Sequence, residues 1–75
     1  MLTFVQKRYQ KVVDACDNLD NLTEEQCKQL LKDISWLLRN GKQYAVKPAV
    51  FEKKMNSLRS LVEAQIATHQ EGVSL

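Results

Sequence analysis

The chain of 75 residues contains only two glycines and one proline, so few positions favour a turn or interrupt a helix. Residues that favour strands are not clustered either, and this composition predicts a protein built from helices. No apolar run approaches the roughly 20 residues that a membrane-spanning helix requires. The amino terminus also lacks the apolar core and cleavage site of a secretory signal, so we expect a cytoplasmic protein.

Histidine and cysteine, which often act in catalysis or bind metals, are also scarce. The single histidine, His69, and the two cysteines, Cys16 and Cys27, have neither the C-x-x-C nor the H-x₃-H spacing of a zinc site. A nucleophilic Cys–His pair would need His69 beside one of these thiols together with an orienting group. We expect both cysteines to be free thiols that pack as small apolar groups. We therefore predict no catalytic residue, no metal site, no cofactor and no enzymatic activity.

The chain contains eleven Lys and Arg and nine Asp and Glu, so its net charge is only +2. So small an excess does not indicate nucleic acid or an anionic membrane as the partner. The hydrophobic content of 44% is typical of a folded chain, and we treat residues 1–75 as a single helical domain. A core of this size is marginal on its own, which makes a homodimer one way to complete it.

The clearest helix signals lie in residues 23–40. Thr23 and Gln26 have the spacing of a capping box, in which each side chain accepts a hydrogen bond from the other residue's backbone amide. Gly41 predicts the end of the helix, with the glycine in the left-handed conformation. One apolar stripe follows the helical period: Cys27, Leu30, Leu31, Ile34, Leu37 and Leu38.

Two further amphipathic helices flank this one, at about residues 3–17 and 48–71. The stripe of the first consists of Leu2, Val5, Tyr9, Val12, Val13 and Cys16. The stripe of the last consists of Phe51, Met55, Leu58, Leu61, Val62, Ile66 and His69. Pro48 suits the first turn of the last helix, and Gly72 predicts its end.

These three helices predict an all-α fold, a small three-helix arrangement in the form of an antiparallel bundle. Short connections between amphipathic helices favour antiparallel neighbours that cover one another's apolar stripes. The alternative is a helical hairpin of the last two helices, with the first helix docked on a partner or on a second copy.

Trp36 is the most informative single residue, because it lies about half a turn from the centre of its helix's apolar stripe. Either the first helix or the loop at Tyr44 covers it, or it is an exposed anchor for another protein. Phe4 also lies off the stripe of its own helix. We predict that Trp36, Phe4, Tyr9 and Tyr44 bind a protein partner.

The third helix also carries Lys53, Asn56 and Arg59, which are residue types that reach phosphates and base edges. Helix-turn-helix motifs, however, join their helices by a shorter connection than the one predicted here. Acidic residues are also interleaved with the basic ones. A small nucleic-acid-binding regulator that uses these three residues is therefore the second hypothesis.

The last two helices, with Gln43-Tyr44 in their connection, resemble the small helical-hairpin co-chaperones of type III secretion needle subunits. The likeness covers little more than these two helices, and Pro48 and the first helix depart from it. Our leading hypothesis is a small protein-protein interaction module, an adaptor, chaperone-like or regulatory protein. Its partner would be another protein or a second copy of itself.

Overall fold

The computed structural model describes residues 4–73 and consists there of three helices with two short connections. No strand occurs among these residues, so the predicted all-α class is confirmed. Each connection contains one turn of 3-10 helix. In chain order the elements are α1 (Phe4–Cys16), a 3-10 turn (Leu19–Asn21), α2 (Glu24–Asn40), a 3-10 turn (Lys42–Tyr44) and α3 (Pro48–Val73).

One predicted helix boundary is untested and one is wrong. Leu2 and Thr3, which we assigned to the start of the first helix, lie outside the described residues. Helix α3 continues through Gly72 to Val73, so the prediction that Gly72 ends it was wrong. A glycine lowers helix propensity by about 1 kcal/mol but does not forbid helical backbone angles. Within the described range, no helix is long and apolar enough to cross a membrane.

The start of α2 has the predicted capping box. The Thr23 amide donates to Gln26 Oε1 at 2.9 Å, and the Gln26 amide donates to Thr23 Oγ1 at 3.1 Å. Glu24 and Glu25 follow in the first turn, where negative charge stabilises the positive end of the helix dipole. The local spacing of these residues is thus sufficient to define the beginning of the helix.

Gly41 follows α2 as predicted, but not in the left-handed conformation that we expected. Its angles, φ −91° and ψ −21°, are right-handed, and the chain continues directly into the 3-10 turn. The glycine is needed for space instead. A Cβ atom there would lie 2.9 Å from the Leu37 carbonyl oxygen, 3.2 Å from Val5 Cγ1 and 3.3 Å from the Phe51 ring. Gly41 therefore allows α1 and α3 to close over the end of α2.

All three helices contribute to one core. Helix α2 packs most extensively against α3, and α1 packs on both, so the first helix docks within its own chain rather than leaving a hairpin. Leu61, which we assigned to the apolar stripe of α3, is exposed instead. The buried residues are Val12, Cys27, Leu30, Ile34, Leu37, Met55, Leu58 and Val62.

Helix α2 runs antiparallel to both neighbours. The start of α1 meets the end of α2, where the Phe4 and Trp36 rings are in contact. The end of α3 meets the start of α2, where His69 Nε2–H donates to the Leu22 carbonyl oxygen at 2.9 Å. Helix α3 has 26 residues and is about 39 Å long, whereas α1 has 13 residues and is about 20 Å long. Helix α1 therefore covers only part of α3.

Candidate functional site

The four predicted partner-binding residues lie in two groups on opposite flanks of α1. Phe4 and Tyr9 are five positions apart, which separates them by about 140° around the helix axis. Phe4 contacts Trp36 of α2, whereas Tyr9 contacts Phe51 of α3. These side chains therefore do not form one continuous surface, and each flank requires its own interpretation.

On the flank facing α2, three side chains form an aromatic clasp, by which we mean Phe4, Arg8 and Trp36. The rings of Phe4 and Trp36 meet edge to face, with centroids 5.5 Å apart and planes at 89°. The guanidinium carbon of Arg8 lies 4.8 Å from the Phe4 centroid and 4.4 Å from the Trp36 centroid. A cation over aromatic rings is attracted by their quadrupoles.

The sequence left open whether Trp36 is covered within the chain or exposed as an anchor, and the contacts of the clasp bear on this choice. The indole is half-buried and packs against the core, so the first helix covers it in part. Its contacts with Phe4 and Arg8 join α1 to α2 and account for it without a partner. The predicted binding role of Trp36 and Phe4 stays a prediction, because no contact described here tests it.

On the other flank, apolar side chains of α1, the second connection and α3 line a depression that we call the loop groove. The rings of Tyr9 and Phe51 meet there, with centroids 5.8 Å apart. The groove consists of two adjoining hollows of about 240 and 450 Å³. Four residues line both hollows: Tyr9, Ala45, Val46 and Phe51.

Exposed apolar area is concentrated at this groove. Of the large hydrophobic side chains exposed among the described residues, Tyr44 (63%), Val46 (96%) and Val50 (62%) all line it. The other two, Phe4 and Leu61, lie elsewhere. Contiguous apolar surface of this kind marks sites of protein contact more often than isolated residues do.

The charged residues that line the groove are all basic. Lys47 and Lys54 line the larger hollow, and no carboxylate lines either hollow. Among the described side chains, neither lysine forms an ion pair, whereas Lys42 pairs with Glu52 at 2.8 Å nearby. The groove therefore presents apolar surface next to two cations without local neutralisation.

The predicted nucleic-acid-binding residues lie on a different face of α3. Lys53 and Asn56 line a shallow hollow of about 470 Å³, but Glu52 lines the same hollow. Arg59 Nε lies 3.7 Å from Glu63 Oε1, which offsets its charge. The structure thus brings Lys53 and Asn56 together, places Arg59 outside this hollow, and puts carboxylates beside all three.

The cysteines and the histidine line neither the loop groove nor the aromatic clasp, although Cys16 lies near Lys54. Cys16 and Cys27 are free thiols. Burial raises the pKa of each thiol above its usual value, and Asp17 and Glu24, respectively, raise the pKa values further. The Nε2–H group of His69 donates a hydrogen bond to the Leu22 carbonyl oxygen. No cluster of three potential metal-ligating side chains occurs within the described part of the chain.

No family model, curated protein or solved structure matches this chain. The resemblance to the co-chaperones of needle subunits therefore gains no support from these comparisons and stays a prediction. Any functional conclusion has to come from the geometry of the chain itself.

Several residues of these two sites were not predicted from the sequence. Val50 lies off the apolar stripe of α3 and next to the connection, and an apolar residue in that position is a detectable signal of a second surface. Arg8 follows Phe4 at the i, i+4 spacing at which helical side chains meet, which is also detectable. Lys47 and Lys54 gave no signal, because their convergence depends on the path of the connection.

Proposed function

We propose that the protein is a small, non-catalytic protein-interaction module of the cytoplasm that binds its partner through the loop groove. The observation that carries this proposal is the concentration of exposed Tyr44, Val46 and Val50 beside the half-buried rings of Tyr9 and Phe51. Aromatic side chains in a partly desolvated pocket are frequent anchors of protein interfaces. A reducing compartment also suits the two free thiols.

The rigidity of the groove supports the same proposal. The Tyr44 amide donates to the Gly41 carbonyl at 3.0 Å, and the Ala45 amide donates to the Lys42 carbonyl at 3.1 Å. The ion pair between Lys42 and Glu52 joins this turn to α3, although its solvent exposure limits its contribution to stability. Because these contacts already fix the turn at residues 42–45, a partner that binds here has less conformational entropy to remove.

A second candidate function is nucleic-acid binding at the outer face of α3. The observation in its favour is the shared hollow of Lys53 and Asn56, two residue types suited to phosphates and base edges. Glu52 in the same hollow and Glu63 beside Arg59 oppose a polyanion, so we rank this function second.

Two charge insertions in neighbouring turns distinguish these functions. Val46→Asp puts a carboxylate into the loop groove, whereas Ala49→Asp puts the same group into the hollow of Lys53 and Asn56. Both positions are exposed, so we expect both variants to fold, which circular dichroism will check. The assay compares the proteins that immobilised wild type and each variant retain from cell lysate.

The proposed function predicts that at least one retained protein is lost with Val46→Asp and kept with Ala49→Asp. Retention on heparin that falls steeply with salt and weakens with Ala49→Asp would favour nucleic acid. Identical retention of every protein by wild type and Val46→Asp would rule out the loop groove as the binding surface.

A further inference from the structure

The two hollows of the loop groove differ in a way that bears on the identity of the partner. The smaller hollow is lined only by uncharged residues, which come from α1, the second connection and Phe51 of α3. The larger hollow adds the ammonium groups of Lys47 and Lys54 beside Val50. Lys54 lies one helical turn after Val50, so its stem runs along the same side of α3. The groove thus combines an apolar floor with a cationic rim at one end.

This arrangement discriminates between partners by charge. A partner that covers the apolar floor also removes water from Lys47 and Lys54, and a desolvated ammonium needs a carboxylate to compensate it. The described residues supply none within the groove, because no carboxylate lines either hollow and the nearby Glu52 is engaged by Lys42. A compensating carboxylate therefore has to come from the partner.

The same two lysines disfavour a second copy as the occupant. In a two-fold dimer formed groove to groove, each copy would bring its own Lys47 and Lys54 to the shared interface. Like charges placed close together in a desolvated contact are repulsive, and no acidic residue of the groove would separate them. The charge pattern favours a partner of the opposite sign.

We infer that the loop groove binds an acidic amphipathic segment of another protein, with an apolar side chain in the smaller hollow and carboxylates against Lys47 and Lys54. This inference rests on the proposed function and specifies its partner class. The occupant is a peptide segment rather than a small anion, because the larger part of the lining is apolar. Grooves of this kind accept an amphipathic helix by its apolar face.

The test uses two synthetic helical peptides as probes. Both carry the same leucine and phenylalanine anchors, and they differ only in having glutamate or lysine at the flanking positions. Calorimetric titration against the wild-type chain at low salt should give binding of the glutamate peptide about tenfold tighter than that of the lysine peptide. The preference should decrease as salt screens the charges.

Charge-reversal variants identify the residues responsible. Lys47→Glu combined with Lys54→Glu should invert the preference in favour of the lysine peptide. Lys7→Glu combined with Lys32→Glu changes the net charge equally at two exposed positions outside the groove, and it should preserve the preference. An equal loss of preference in both double variants would overturn the inference, because net charge alone would then explain the binding.

The remaining outcomes separate this inference from the proposed function. Equal binding of both peptides that Val46→Asp abolishes would overturn the acidic partner and leave the apolar docking site in place. Absence of binding by either peptide would overturn the inference, while the retention assay decides the proposed function independently. Sedimentation that shows a dimer, made monomeric by Val46→Asp, would also overturn it and assign the groove to a second copy.

Discussion

Each flank of α1 carries a pair of aromatic rings, but the two pairs have different surroundings. On one flank Phe4 meets Trp36, and on the other Tyr9 meets Phe51. Arg8 lies over both rings of the first pair, while Phe4 remains 63% exposed. Among the described residues, no cation lies over the rings of the second pair, and the neighbouring Val46 is exposed. Under the proposed function, we expect the first pair to contribute mainly to stability and the second mainly to recognition.

The strongest test of this difference removes the indole. Trp36→Ala deletes the ring that contacts Phe4 and Arg8, and we expect a loss of about 2–3 kcal/mol in the free energy of unfolding. Tyr44→Ala on the groove flank should change it by less than about 0.5 kcal/mol, because an exposed side chain loses few contacts. Chemical denaturation of both variants measures the difference. Similar losses would mean that both flanks are structural.

The next test concerns the position where the groove flank meets the end of α2. Gly41→Ala places a methyl group 2.9 Å from the Leu37 carbonyl oxygen and close to Val5 and Phe51. Overpacking of this kind should cost about 1–2 kcal/mol, in spite of the greater helix propensity of alanine. Thermal unfolding will show it as a lower Tm. As a control, Ser60→Ala at an exposed position of α3 should leave Tm unchanged or slightly higher, and a gain in Tm at Gly41 would contradict the crowding.

A smaller effect is expected from the cation of the clasp. Arg8→Ala removes the guanidinium from both rings and should cost about 0.5–1 kcal/mol. The matched substitution on the groove flank, Lys54→Ala, should leave the free energy of unfolding nearly unchanged, because no ion pair is lost. A double-mutant cycle of Arg8→Ala with Trp36→Ala isolates the interaction energy. A coupling energy of zero would show that Arg8 does not stabilise the clasp.

The smallest effect concerns thiol reactivity beneath the groove flank. Cys16 is half-buried on α1, whereas Cys27 is fully buried. Because burial raises both pKa values and only the thiolate reacts, both thiols should react slowly with iodoacetamide in the folded protein. Peptide mapping by mass spectrometry should show that Cys16 is modified before Cys27, and that the rates become similar in denaturant. Faster modification of Cys27 would contradict a closed core.

Features that depend on local spacing were predictable from the sequence. The capping box of Thr23 and Gln26 involves residues three positions apart, and the buried stripe of α2 follows from the helical repeat alone. Gly41 was correctly expected after α2 but for the wrong reason. Its surroundings include Val5 and Phe51, which are distant in sequence. The steric crowding at Gly41 therefore cannot be predicted from the residues next to it.

The candidate site was less predictable, because it depends on how three segments converge. Tyr9 and Tyr44 were predicted to bind a partner, and both line the loop groove. The division of the four predicted anchors between two flanks depends on the direction in which α1 crosses the other helices. The cationic rim depends on the path of the connection that brings Lys47 near Lys54. A periodic pattern contains neither kind of information.

The hydrogen bond between His69 and Leu22 determines which ring nitrogen carries a proton. A carbonyl oxygen only accepts, so Nε2 must be protonated, which holds both for that neutral tautomer and for the imidazolium cation. This hydrogen bond between the end of α3 and the start of α2 therefore does not depend on a particular charge state of the ring. The single histidine of this chain thus joins two segments that lie 47 positions apart in the sequence, and it holds the end of α3 in register with the start of α2.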